Sequence, residues 1–169
     1  MRFLSKRAGW LILPLLIALA VFATKPDPVF APVASDSSPI RPLTPDERVL
    51  RINRYFAERK MPLDGYGDKF AEAADRCGMD WRLLPAITVR ESSGGKQACG
   101  NNPFGWASCR VDFESVENAI EIVGLNLCGF NPRTADYYKD KTTYERLRSY
   151  NGTANQNYPD EVIETMKKF

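Results

Sequence analysis

The order of apolar and polar residues points to helices from residue 44 onward. Val49, Leu50, Ile52, Tyr55 and Phe56 recur at helical spacing. They come after Thr44-Pro45-Asp46-Glu47, which reads as a capping box with proline in the first turn. Residues 61–67 carry Pro62, Gly65 and Gly67 and break that helix. A second helix is predicted over about residues 68–77, closed by Gly78. Asp80 is placed to cap a third, with Leu83, Leu84 and Ile87 on one face and Pro85 just past the first turn, where a mild kink is allowed. Ser92-Ser93-Gly94-Gly95 ends it, glycine supplying the left-handed conformation a helix end uses. Residues 101–113 alternate and carry Gly and Pro, so a loop or short hairpin is predicted there. A fourth helix over residues 115–127 turns Val116, Ala119, Ile120, Val123 and Leu127 inward. A fifth covers residues 143–149, and Pro159 opens a sixth with Asp160 and Glu161 in its first turn. Six helices and at most one small hairpin predict a mainly α fold.

The chain before residue 44 has a different character. Arg2, Lys6 and Arg7 precede an uncharged apolar run from Trp10 to Phe22, and Ala23 closes a stretch that a signal peptidase could read. The run is shorter than a spanning helix requires, which favours cleavage after residue 23; an uncleaved anchor is the alternative. Either way the positive flank predicts export of the remaining chain, with membrane contact only through this segment. Residues 24–43 hold five prolines and Ser35-Asp36-Ser37-Ser38, a stiffened and solvated linker. The expected organisation is a signal or anchor over 1–23, a linker over 24–43 and one folded domain, a monomer, over 44–169.

Composition removes whole classes of chemistry. The 169 residues include no histidine. This excludes Ser–His–Asp and Cys–His catalysis and every His-ligated zinc site. Proton transfer must fall to carboxylates, Lys, Tyr or Cys. With 23 basic and 21 acidic residues the balance is near zero, so no nucleic-acid partner is indicated. Four cysteines in an exported chain imply two disulfides. Of three pairings, Cys99–Cys109 would staple a short loop, leaving Cys77–Cys128 to join two helix ends; on a chain-entropy argument they are worth about 3 and about 4 kcal/mol. The absence of a C-x-x-C pair argues against a thiolate zinc site, and neither metal nor organic cofactor is expected.

Glu91 stands out among the carboxylates. It lies four residues after Ile87 and seven after Leu84, on the apolar side of the third helix and at its C-terminal end. Burial there and the negative end of the helix dipole both penalise the charged form, so the expectation is a shielded carboxylic acid able to protonate a glycosidic oxygen. Phe104, Trp106, Tyr137, Tyr138 and Tyr150 could offer flat faces to pyranose rings. Asn102 and Asn151 could bond an N-acetyl group or Glu91, or simply form turns. A second carboxylate, if one is used, is sought first at Asp112 and next at Glu114.

Residues AADRCGMDWRLLPAITVRESSGG resemble the segment leading into the catalytic Glu-Ser of lytic transglycosylases in the lysozyme superfamily. SYNGT, with Tyr150-Asn151, resembles the Tyr-Asn motif of that family, whose Tyr sits by the acid. NNPFGW instead resembles an element of bacterial endo-β-N-acetylglucosaminidases, and it stands where transglycosylases carry Gly-Leu-Met-Gln. The resemblance spans about residues 63–166. It implies a lysozyme-like helical domain that cleaves β-1,4 linkages between N-acetylated amino sugars of peptidoglycan. Glu91 would be the acid, and Ser92, Asn102, Phe104, Trp106, Tyr150 and Asn151 would bind substrate. A lytic transglycosylase leaving 1,6-anhydro ends, and an inactive wall-binding module, are the alternatives.

Overall fold

The computed structural model describes residues 43–169. The predicted export segment and most of the linker lie outside the described residues. Among the described residues seven α helices run in order: α1 (Pro45–Glu58), α2 (Gly67–Asp75), α3 (Leu83–Ser92), α4 (Val116–Leu127), α5 (Ala135–Tyr138), α6 (Thr143–Asn151) and α7 (Tyr158–Met166). The fold is mainly α. No strand forms among the described residues; the predicted loop-or-hairpin region is a loop with one isolated bridge, Cys99 to Asn102, and a single tight turn over Trp106–Cys109.

Local chemistry sets most helix ends. Thr44 and Glu47 cap α1 reciprocally: Glu47 N–H donates to Thr44 Oγ1 at 3.2 Å and Thr44 N–H to a Glu47 carboxylate oxygen at 2.7 Å. Thr142 and Glu145 repeat the device on α6. Ser115 caps α4 through Asn118 N–H. Asp80 does not cap α3 as expected. Its carboxylate accepts from Arg82 N–H at 2.9 Å and pairs with the Arg82 guanidinium, forming a turn one step earlier, so that α3 begins at Leu83. Pro85 then falls in the first turn, where a missing N–H removes no helical bond. At the other end of α3 the left-handed conformation begins at Ser93 (φ 54°) and continues at Gly94 (φ 66°). Gly94 N–H closes the turn on Thr88 O, and a side chain there would collide with Met61 Sδ at 2.5 Å.

α3 is the central helix. Leu83 through Thr88 are all buried, which is why its pattern shows no clean polar face. It packs on α7 and α2; α2 in turn packs on α1 and α4, and α6 on α7. Ile52, Phe56, Phe70, Leu84, Ile87, Phe104, Ile120 and Leu147 form one continuous core with almost no exposed surface. Leu50, counted on the apolar face from spacing, lies on the opposite side of α1 and is 61% exposed. Both disulfides form in the favoured pairing. Cys77–Cys128 ties the end of α2 to the end of α4, and Cys99–Cys109 closes the loop after α3.

Candidate functional site

A cleft of about 580 Å³ opens where α3 ends, between the 102–109 loop and the α5–α6 region. Glu91 lies on its floor, and Trp106, Tyr138, Tyr150 and Asn151 line it. The last turn of α3 leaves the core here. Ile87, one turn earlier, is fully buried, whereas Glu91 is exposed. The shielding from water expected from helical spacing is therefore not found, because the core stops one turn short of the carboxyl group.

The carboxyl group is nevertheless held. Tyr158, at the first position of α7, donates its hydroxyl to Glu91 Oε1 at 2.5 Å. Oε2 faces Gly105: a Cβ placed on that glycine would sit 3.1 Å from it. Gly105 also has φ 60°, so both its conformation and its neighbour exclude a side chain. One oxygen of Glu91 is thus occupied by a donor, and the other lies against bare backbone.

Three tyrosines at this site are held neutral. Burial raises the Tyr158 hydroxyl far above its ordinary value, and the adjacent Glu91 charge and its hydrogen bond push the same way. Burial and then Glu91 raise Tyr150 likewise. Tyr138 is pushed up to about 12 by burial, with a smaller push from Tyr137. Tyr150 and Tyr158 stack almost parallel with centroids 6.1 Å apart, and Tyr150 donates to Phe104 O at 2.5 Å. Trp106 leans on Tyr150 at 5.5 Å and on Tyr138 at 6.3 Å, completing an aromatic wall.

The residues named from sequence separate into two groups. Glu91, Trp106, Tyr138, Tyr150 and Asn151 meet at the cleft. Ser92, Asn102 and Phe104 do not reach it and are placed to build its wall. Ser92 is buried; its hydroxyl donates to Pro103 O at 2.6 Å, shared with Thr88 O at 3.1 Å, and accepts from Gly95 N–H. Asn102 is fully buried. Its amide donates to Trp106 O and Val111 O, and its carbonyl accepts from Trp106 N–H at 3.0 Å. No polar atom of it remains for a sugar. Phe104 is entirely buried in the core, edge-on to Phe70. Tyr137 is 61% exposed and lies off the cleft lining. Asp112 and Glu114 are exposed and also absent from the lining, so neither is placed as a partner for Glu91.

Sequence reading missed Tyr158, Gly105 and Thr134. Tyr158 was legible only as the residue before Pro159, since its pairing with Glu91 spans 67 positions. Thr134 reaches the cleft because Asn126, buried at the end of α4, accepts from its hydroxyl at 2.7 Å and fixes the turn into α5. That short helix is also absent from the pattern reading.

The outer wall is conformationally unusual. Ala107, Ser108 and Cys109 all have φ between 54° and 59°. Three successive non-glycine residues in the left-handed region cost about 1 kcal/mol or more each and require external restraint. Asn102 and the Cys99–Cys109 bond supply it. Among the described residues no group of three or more Cys, Asp or Glu is arranged to hold a metal ion. Compared with models of known protein families, with curated proteins and with solved structures, the chain finds no match.

Proposed function

We propose that this chain is an exported glycosidase with a lysozyme-like domain, cleaving β-1,4 linkages between N-acetylated amino sugars of peptidoglycan with Glu91 as general acid. The observation that carries the reading is the placement of one carboxyl group, anchored by Tyr158, on the floor of a cleft walled by Trp106, Tyr138 and Tyr150. Aromatic faces beside polar edges suit pyranose rings. A glycan seated on them would displace water from Glu91, providing on binding the shielding that the free site lacks.

With Oε1 bonded to Tyr158, the proton is delivered from Oε2. It passes to the glycosidic oxygen as the C1–O bond breaks. Among the described residues Glu91 is the only carboxylate lining the cleft, which leaves no protein group to act from the opposite face of the sugar. The 2-acetamido oxygen then attacks C1 from that face, forming a cyclic oxazolinium. Glu91, now deprotonated, takes a proton from the group that opens this ring. Water as that group gives hydrolysis. The sugar's own 6-hydroxyl gives a 1,6-anhydro end, and the single-carboxylate lining supports this second reading equally well.

The test is digestion of purified peptidoglycan by the wild-type protein and by Glu91→Gln, followed by mass spectrometry. Wild type is expected to release muropeptides and the variant none, with its helical circular dichroism unchanged. Anhydro products are lighter by one water than hydrolytic ones, which separates the two outcomes. A wild-type protein that binds walls and releases nothing would replace this reading with that of a binding module.

A further inference from the structure

The two disulfides sit in opposite surroundings. Cys128 is 5% exposed and Cys77 half-buried, and their bond lies between the ends of α2 and α4. Cys99 and Cys109 are both exposed, and ten positions separate them. Inside their loop lie the residues that shape the outer side of the cleft. Gly105 backs Glu91 Oε2, while Trp106, Ala107 and Ser108 line the opening. The loop ends on the left-handed run Ala107-Ser108-Cys109. Left to itself this run would relax to ordinary backbone angles. Its upstream half is secured independently: Phe104 in the core, Pro103 O by Ser92, Phe104 O by Tyr150. In its downstream half Trp106 is held by Asn102 and by the rings of Tyr138 and Tyr150, while the exposed run 107–109 has two local backbone hydrogen bonds, Cys109 N–H to Gly105 O and Arg110 N–H to Ala107 O, and the disulfide.

We propose that Cys99–Cys109 is a redox latch on the cleft, closed by oxidation and opened selectively by a dithiol reductant while the rest of the domain stays folded. The proposal rests on the glycan-cleaving reading for its consequence, which is an enzyme inactive in a reducing compartment and switched on by export. Opening is ordinary thiol–disulfide exchange. A thiolate of the dithiol attacks one exposed sulfur, and the other leaves as a thiolate and takes up a proton. The second reductant thiol then attacks the mixed disulfide and closes on its partner. Two electrons and two protons pass to Cys99 and Cys109, and the dithiol becomes a disulfide. Residues 107–109 then relax and the rim they form moves away from the sugar path. Displacement of about 1 Å in a positioning wall costs about 100-fold in rate.

The experiment titrates the full chain with a dithiol, traps free thiols by alkylation, and locates them by mass spectrometry. Cys99 and Cys109 are expected to label well before Cys77 and Cys128, with helical circular dichroism unchanged. Hydrogen exchange over residues 105–110 should accelerate at the same point. Peptidoglycan cleavage should fall about 100-fold and return on reoxidation. Cys99→Ser with Cys109→Ser should be permanently slow and indifferent to dithiol. Simultaneous reduction of both bonds, unchanged exchange over 105–110, or a fully active double variant each overturns the latch. If the oxidised wild type cleaves nothing, the glycosidase reading fails by itself; labelling and exchange still decide the latch.

Discussion

The floor and the outer wall of the cleft are built by different means. The floor is helical: Glu91 at the end of α3 and Tyr158 at the start of α7, on two helices that pack against each other. Ile87, Leu84 and Val162 beneath it are fully buried. The wall is a loop held by the buried Asn102 amide, the Ser92 and Tyr150 hydroxyls, the Phe104 ring and one disulfide. A floor supported by many small contacts tolerates the loss of any one; a wall supported by few specific bonds does not. Glu91 is therefore placed by the fold, and the shape of the groove above it by a handful of polar atoms.

The sharpest way to break this contrast is at the floor. Glu91→Gln keeps every packing contact and removes the transferable proton. Peptidoglycan cleavage should drop by about 10³-fold with no change in melting temperature. A comparable loss of stability would mean that the carboxyl group serves the fold instead.

The wall should show the reverse pattern. Asn102→Ala leaves Trp106 N–H and O and Val111 O without their partner in a part-buried place, so it should destabilise by about 2 kcal/mol, read as a lower urea midpoint. Trp106 fluorescence should shift before global unfolding. If the variant unfolds in one step at the wild-type midpoint, the wall is not held as described.

Tyr158→Phe separates floor geometry from floor packing. The ring still stacks on Tyr150, so stability should change by about 1 kcal/mol, whereas Glu91 loses its anchor and turnover should fall about 10-fold. Urea midpoints and peptidoglycan cleavage rates measure the two separately, and a variant that cleaves at the wild-type rate would remove the Tyr158 hydroxyl from the mechanism.

Alkaline stability probes the same tyrosines. Burial keeps Tyr138 neutral up to about 12, against an unfolded value of 10.0, and Tyr150 and Tyr158 are raised too. From pH 10 upward the unfolded chain loses these protons while the folded one keeps them, so stability should fall steadily toward pH 12. Urea midpoints at pH 8, 10, 11 and 12 measure this. The smallest effect is expected at Arg90→Gln, which breaks the pair with Glu161 between α3 and α7. Both side chains are more than two-fifths exposed, and the change in stability should stay below about 0.5 kcal/mol.

Much of the helical plan was legible because it is local. Capping boxes at Thr44–Glu47, the Ser115 cap and the stop at 93–95 arise from residues within a few positions of one another. α5 was not legible: four residues carry no periodicity, and Asn126 and Thr134 set its start across a turn. The polar atoms of Ser92 and Asn102 are kept from the cleft for one reason. A short motif shows that residues stand together, but not whether their polar atoms face outward or are consumed by the backbone beside them.

Two things about this protein were determined by sequence alone. Without histidine, any proton transfer falls to carboxylates, Lys, Tyr or Cys. The spacing of cysteines allowed the loop staple and the helix-end bridge. Tertiary structure decided the rest: that Glu91 is open to the cleft, that Tyr158 holds it, and that Asp112 stands apart. Helical spacing gives a residue's direction from its own axis. Whether that direction meets core or water depends on where neighbouring helices end, which is a property of the packed whole.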